Sequence, residues 1–110
     1  MNTSSLFIQD RFVKAEGRYL DHLRSMGVRA DPAFKGYFRF LVHAACVTAD
    51  FAETAEARRR FFRCSGTMLK QARDFLVEIG MIKIVQEGSF RPRVPTIVHP
   101  TRLFTEVTGI

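Results

Sequence analysis

Residues 54–94 read TAEARRRFFRCSGTMLKQARDFLVEIGMIKIVQEGSFRPRV, and this stretch decides the fold. Its first part predicts a short helix that Thr54 can cap through its side-chain oxygen. A tight turn follows, because only a few residues remain before the next cap. That cap is Ser65, which opens a second helix over residues 65–79. Gly80 ends this helix, since glycine readily adopts the left-handed conformation found after helix C-termini.

The second helix is strongly amphipathic. Apolar side chains at three- and four-residue spacing predict one packed face, made of Leu69, Ala72, Phe75, Leu76 and Ile79. The opposite face turns outward early in the helix and carries Gly66, Thr67, Lys70, Gln71 and Asp74. The function of the protein therefore depends on what this polar face contacts.

After Gly80 the apolar period changes from that of a helix to that of a strand. The predicted elements are a strand over residues 81–85, a turn over residues 87–89, a returning strand over residues 94–98 and a last helical turn over residues 102–107. Pro92 and Pro95 confine the returning strand to a sheet edge, because proline cannot donate a ladder hydrogen bond.

Two helices are predicted before this stretch. Apolar spacing indicates one over residues 3–26, ended by Gly27, and another over residues 32–49, for which Asp31 is the expected cap. The second is apolar nearly all round, so we expect it at the centre of the core. His43 lies within it and is interpreted as a core histidine with an internal partner.

Length and composition narrow the class of protein. The chain has 110 residues, which suits one domain, and no apolar run long enough to span a membrane. Its N-terminus lacks the basic and apolar regions of a secretory signal. Two cysteines, Cys46 and Cys64, stand apart and are interpreted as reduced thiols. These features predict a cytoplasmic protein.

The net charge of +6 is unevenly distributed. Residues 1–57 hold seven basic and seven acidic side chains, whereas residues 58–102 hold ten basic and three acidic ones, or +7. Such asymmetry points to a polyanionic partner, of which nucleic acid is the usual one. A solvated basic face without a partner is the simpler alternative.

No pattern of catalytic residues is present. The sequence contains no glycine-rich phosphate loop, no arrangement typical of nucleophilic catalysis and no Cys or His residues at metal-binding spacing. The one close pair of carboxylates, Glu53 and Glu56, is interpreted as the start of a helix, where the helix dipole favours acids. We therefore predict that the protein is not an enzyme and needs no metal or cofactor.

The order helix, turn, amphipathic helix and hairpin in residues 54–94 resembles the winged helix-turn-helix domain. Within it, LVEIGMIKI at residues 76–84 is similar to the L-x-x-x-G-L-I run that ends the recognition helix in MarR-like bacterial transcriptional regulators. The resemblance implies a mostly α fold with a small two-stranded hairpin, the wing, in a single domain over residues 1–110. Its parts would be an N-terminal helix (residues 1–30), a winged helix core (32–98) and a short C-terminal helical segment (99–110).

The chain departs from the MarR pattern after the wing, where those regulators have long helices that dimerise. The N-terminal helix is then the element left to form a homodimer. Whether it packs within its own chain or across a dimer stays open at this point.

The resemblance implies a double-stranded DNA-binding protein that regulates transcription by occupying an operator. The recognition helix (residues 65–79) would read bases in the major groove through Thr67, Lys70, Gln71 and Asp74. Phosphate contacts are expected from Arg58, Arg59, Arg63, Ser65 and Arg73. The wing, residues 87–94, would place Arg91 and Arg93 in the adjacent minor groove.

The main alternative is a winged helix that docks on a protein partner in transcription or replication. Phe90, beside the wing arginines, can either pack back on the wing or insert at an interface. A small-molecule effector is suggested only by the resemblance, and redox sensing only by the thiols of Cys46 and Cys64.

Overall fold

The computed structural model describes residues 3–29 and 32–110, with side chains from residue 10 onward in the first helix. Within these ranges the elements are α1 (Thr3–Ser25), α2 (Pro32–Cys46), α3 (Ala55–Phe61), α4 (Gly66–Glu78), β1 (Ile82–Gln86), β2 (Ser89–Phe90), β3 (Arg93–Val94), β4 (Ile97–Pro100) and α5 (Arg102–Thr108). The fold is mostly helical with a small antiparallel sheet. The expected cap Asp31 lies outside the described residues.

Both helices in the deciding stretch begin at the predicted caps, and α4 ends at the predicted glycine. The Ala57 N–H donates to Thr54 Oγ1 at 3.1 Å, and the Met68 N–H donates to Ser65 Oγ at 3.2 Å. At the other end of α4, Gly80 has a φ of +81°, and the Met81 N–H reaches back to the Leu76 carbonyl at 2.9 Å. This hydrogen bond belongs to the turn that glycine makes after a helix. The sequence therefore predicted the limits of α4 correctly.

Helix α2 forms the centre of the core, as predicted. Its buried residues are Ala33, Phe34, Gly36, Tyr37, Phe38, Phe40, Leu41 and Ala44. It ends at Cys46 and not at residue 49, because the chain turns at Thr48, which has a left-handed φ of 51°. His43 is half-buried at the edge of the core, with its ring 5.3 Å from the Phe61 ring and its Nε2 3.5 Å from Arg60 Nη1. The expected internal partner is therefore present, although the residue is not fully buried.

Helix α1 packs within its own chain, against α2 and α5. The buried Tyr19 ring lies 5.2 Å from Phe38 and 6.2 Å from Phe104, and its hydroxyl donates to the Phe34 carbonyl at 3.0 Å. Arg18 also donates to the carbonyl of Thr108, at the end of α5, at 3.5 Å. The middle and last turns of α1 are therefore part of this chain's core.

Helix α3 approaches α2 closely at Gly36. A Cβ atom at this position would lie 2.2 Å from the Phe61 carbonyl oxygen, closer than real Cβ atoms come. The contact brings the Phe62 ring onto Tyr37, at 5.1 Å between centroids, and buries it. Gly36 therefore sets how near α3 lies to α2.

The sheet differs from the expected simple hairpin. Strand β1 pairs antiparallel with β4, with an irregularity between Ile84 and Gln86, and β2 pairs with β3 beyond it. Residues 51–53 flank the other side of β4, where Ala52 bridges to Ile97. The returning strand predicted over residues 94–98 is thus divided into β3 and β4, because residues 95–96 separate two pairings.

Candidate nucleic-acid interface

The polar face of α4 is turned to solvent. Gly66, Thr67, Lys70, Gln71 and Asp74 are all exposed, as the sequence predicted. The reason is the opposite face, where Leu69, Ala72 and Leu76 are buried against the core. Five groups within the first nine residues of one helix therefore share an accessible surface.

Lys70 and Asp74 form an ion pair across one helical turn. The Lys70 Nζ lies 3.0 Å from Asp74 Oδ2, and both side chains remain largely exposed. Such exposed pairs contribute little stability, so either partner can exchange the contact for another one at small cost. In the free protein the pair makes the outward face of α4 electrically neutral.

Arg73 has a structural role that the sequence did not predict. Its Nη1 lies 2.5 Å from Glu53 Oε1, and the two side chains are 13% and 0% exposed. A buried carboxylate requires such a partner, because an unpaired charge in the core is strongly destabilising. We therefore revise the expected phosphate contact of Arg73 to an internal ion pair.

Glu53, Arg73 and Tyr37 form a largely buried polar cluster, and Glu53 connects several elements through it. Its second carboxylate oxygen accepts a hydrogen bond from the Tyr37 hydroxyl of α2, and its backbone N–H donates to the Thr96 carbonyl at 2.8 Å. Burial and the neighbouring carboxylate raise the pKa of Tyr37 well above its ordinary value, so the hydroxyl stays a donor.

The cluster overturns the interpretation of Glu53 as a helix-starting acid, which holds only for Glu56 in the first turn of α3. In the sequence the two carboxylates look alike, and nothing in the local pattern marks the buried one. The partners of Glu53 stand 16 and 20 residues away, so only the folded chain identifies them.

The arginines in α3 and just after it divide into two groups. Arg60 lies over the Phe61 ring, 5.3 Å from its centroid, and 3.5 Å from the His43 ring nitrogen. Arg58, Arg59 and Arg63 are exposed and have no carboxylate partner within residues 3–29 and 32–110. These three, the ones predicted to contact phosphates, are available to an external anion.

The β2–β3 hairpin, which was expected to be the wing, carries two further exposed arginines. Arg91 and Arg93 are exposed at the turn between β2 and β3, and neither forms an ion pair in the part of the chain that the structure describes. Phe90 precedes them and is 92% exposed, so it does not pack back on the wing. The wing tip therefore presents an aromatic ring among unpaired guanidinium groups.

A cavity of about 360 Å³ lies between the end of α2 and α3. His43, Asp50, Glu56 and Arg60 supply its charged and polar lining, with Phe40 and Phe61 among the apolar residues. None of the residues predicted to contact DNA lines it. The cavity is thus separate from the outward face of α4.

Other kinds of site are not found among the described residues. No group of three or more His, Cys, Asp or Glu side chains in these ranges could hold a metal ion. Cys46 is exposed and Cys64 is half-buried, and neither is in a disulfide bond. None of the described helices combines the length and apolar character that a bilayer crossing requires.

Comparisons with protein-family models, with curated proteins and with solved structures gave no match for this chain.

Proposed function

We propose that the protein is a winged helix that binds double-stranded DNA and regulates transcription by occupying an operator. One observation carries the proposal: the exposed polar face of α4 is flanked along the chain by two sets of arginines without carboxylate partners. The first set is in and after α3, and the second is at the β2–β3 tip. A neutral hydrogen-bonding helix between sources of positive charge suits a groove with phosphates on both sides.

The order of the elements supports the winged helix assignment. Helix α3, a short turn and α4 correspond to the helix-turn-helix, and the strands from β1 to β4 correspond to the wing. Residues 51–53 add a third segment to the sheet beside β4. This contact joins the segment before α3 to the base of the wing, so the two DNA-contacting parts belong to one body.

In this function α4 enters the major groove with its N-terminal half. The Gln71 amide can pair with adenine and the Lys70 ammonium with guanine, while Asp74 accepts from a cytosine amino group once Lys70 releases it. Thr67 lies one turn nearer the helix start, beside Ser65. Arg58, Arg59, Arg63 and Ser65 contact phosphates, and these contacts fix position without reading sequence.

Regulation through a palindromic operator requires a homodimer, with half-sites about one helical turn apart. The described part of α1 buries one side in its own chain and leaves Val13 and Met26 exposed. A dimer through α1 would therefore use the side that faces away from α2 and α5.

The test is fluorescence anisotropy of a labelled random-sequence duplex, titrated with the protein from low to physiological salt. We expect binding at low salt that weakens by orders of magnitude across this range, because released counterions dominate the affinity. Selection of a preferred sequence from a random pool would follow. Absence of binding at low salt would exclude the proposal.

The exposed Phe90 is the observation that favours the second candidate, a winged helix that docks on a protein partner in transcription or replication. Charge argues against it, since the cores of protein interfaces are depleted of charged residues and the wing tip holds two arginines. Strong retention on a heparin column, eluted by salt, is expected for the DNA-binding protein and not for this alternative.

A further inference from the structure

Phe90 is unusual among the phenylalanines of this protein. The others whose side chains the structure describes are buried or half-buried, and several pack ring against ring around α2. Phe90 is 92% exposed, whereas Val13, the next most exposed large apolar side chain among those described, is at 66%. This large apolar ring stays in water after folding, so the favourable free energy of burying it is not gained. The ring is therefore available for contact with a partner.

The hairpin that carries Phe90 is held by specific hydrogen bonds. Its backbone pairs with Arg93 across the β2–β3 ladder, and the Arg91 N–H donates to Ser89 Oγ at 3.2 Å. At the base of the hairpin the Gly88 N–H donates to Thr96 Oγ1 at 3.1 Å. A Cβ at Gly88 would lie 2.6 Å from the same oxygen, so the two arms meet closely. The ring thus projects from an ordered support.

The chemistry around the ring selects the kind of partner. Arg91 and Arg93 stand on either side of Pro92, exposed and without a carboxylate partner in the described ranges. A narrow minor groove concentrates negative potential and attracts arginine. Proteins that bind this groove also insert apolar side chains, phenylalanine among them, between adjacent base pairs. An aromatic ring beside two free guanidinium groups fits this chemistry.

We infer that Phe90 is a wedge that inserts between adjacent base pairs in the minor groove and bends the duplex, with Arg91 and Arg93 holding the wing tip in place. The inference rests on the proposed DNA binding and adds a deformation of the DNA to it. Insertion unstacks one base step and replaces the lost stacking by contact with the Phe90 ring. Pyrimidine–purine steps such as TA, which unstack most easily, are then the preferred sites.

The experiment measures binding and bending on the same complex. A mixed-sequence duplex of about 24 base pairs with central TA steps carries a donor and an acceptor dye at its two ends. Anisotropy reports binding, and energy transfer between the dyes reports the end-to-end distance. The wild-type protein is expected to raise both signals.

Three variants isolate the ring. Phe90→Ser should bind with an affinity within about tenfold of wild type, because the variant loses the contact of the ring with the bases but also avoids the cost of unstacking them. The rise in energy transfer should be lost. Phe90→Leu keeps an apolar wedge and should retain much of the bend. Val47→Ala is the matched control, because it removes exposed apolar surface beyond the end of α2 and should leave both signals unchanged.

A duplex with one central mismatch gives a second readout. A mismatched step is already partly unstacked, so wild type should bind it more tightly than the matched duplex, whereas Phe90→Ser should not distinguish the two. A purely electrostatic or structural role of the wing would give no such difference between the variants.

The possible outcomes test the Phe90 wedge and the proposed DNA binding separately. If wild type binds without a change in energy transfer, or if Phe90→Ser bends the duplex as wild type does, the wedge is excluded while DNA binding stands. The ring would then be left for a protein partner. If wild type gives no anisotropy change at low salt, the DNA-binding proposal fails and the wedge fails with it.

Discussion

The side-chain amide of Gln71 has no hydrogen-bond partner within the part of the chain that the structure describes, although it can both donate and accept. Its neighbours on the outward face of α4 differ from it, because Lys70 and Asp74 hold each other. A free amide on the outward face of a recognition helix is the group best suited to pair with an adenine edge. Sequence preference should therefore depend on Gln71 more than on its charged neighbours.

We predict that Gln71→Ala relaxes the preference at one base position, with a loss of about 1–3 kcal/mol of discrimination there. Binding to random duplex should change little, since the amide carries no charge. Competition anisotropy with the selected sequence and its single-base variants measures both effects. Equal losses on specific and random DNA would contradict the assignment.

Arg73 and Glu53 show where local sequence patterns stop being informative. An arginine on the edge of a recognition helix suggests a phosphate contact, and an acid just before a helix suggests a dipole interaction. The fold instead pairs these two side chains in the core, 20 residues apart in sequence. Such a pairing depends on how α4 crosses the segment before α3, which no local pattern specifies.

Because Glu53 is fully buried, Arg73→Ala should lower the free energy of unfolding by about 3–5 kcal/mol, as expected when a buried ion pair loses one partner. Urea denaturation followed by circular dichroism measures the change. The matched control is Arg102→Ala, which breaks the exposed pair with Glu106 and should cost less than about 1 kcal/mol. Similar small losses for both variants would show that the Arg73 side chain faces solvent.

At the scale of elements, the predictable features are the local ones. Thr54 and Ser65 cap their helices and Gly80 ends α4, because each depends on hydrogen bonds within a few residues. The third segment of the sheet and the division of the returning strand were not predictable, since both depend on pairing with distant residues.

The contact between α2 and α3 gives a prediction at this scale. Gly36→Ala should destabilise the protein by about 1–3 kcal/mol, because its Cβ would meet the Phe61 backbone and force α3 away from the core. Gly17→Ala is the control with the opposite sign. It adds a Cβ in α1 with no atom within 4 Å, and should stabilise by about 0.5–1 kcal/mol. Thermal unfolding of both variants checks the pair.

At the scale of the whole molecule, the charge is organised by pairing as much as by number. Lys14, Arg24 and Arg39 of the first half are each paired with an acid, at 3.0–3.3 Å, whereas the exposed Arg29 and Lys35 have no carboxylate partner among the described residues. In the second half the exposed cations without such a partner lie on α3, just after it, at Lys83 on β1 and at the β2–β3 turn. The sequence predicted the location of the excess charge, and the structure identifies which of those side chains are free to act.

For Arg59→Ala and Arg63→Ala we expect weaker binding to all sequences alike, and a salt dependence whose logarithmic slope falls by about one. Arg102→Ala removes the same charge from α5 and should leave the slope unchanged. Salt titrations of the random duplex by anisotropy compare the three variants. A slope that responds equally to all of them would indicate attraction by net charge and no defined interface.

Glu53 links the two parts of the protein that are proposed to contact DNA. Its carboxylate holds α4 through Arg73, while its backbone N–H holds the base of the wing through Thr96. These two contacts set the distance between α4 and the start of β4. In the proposed complex with DNA, this distance would match the spacing between a major groove and the next minor groove. Double-stranded RNA, with its deep, narrow major groove, does not offer that spacing and should be rejected on shape before any base is read.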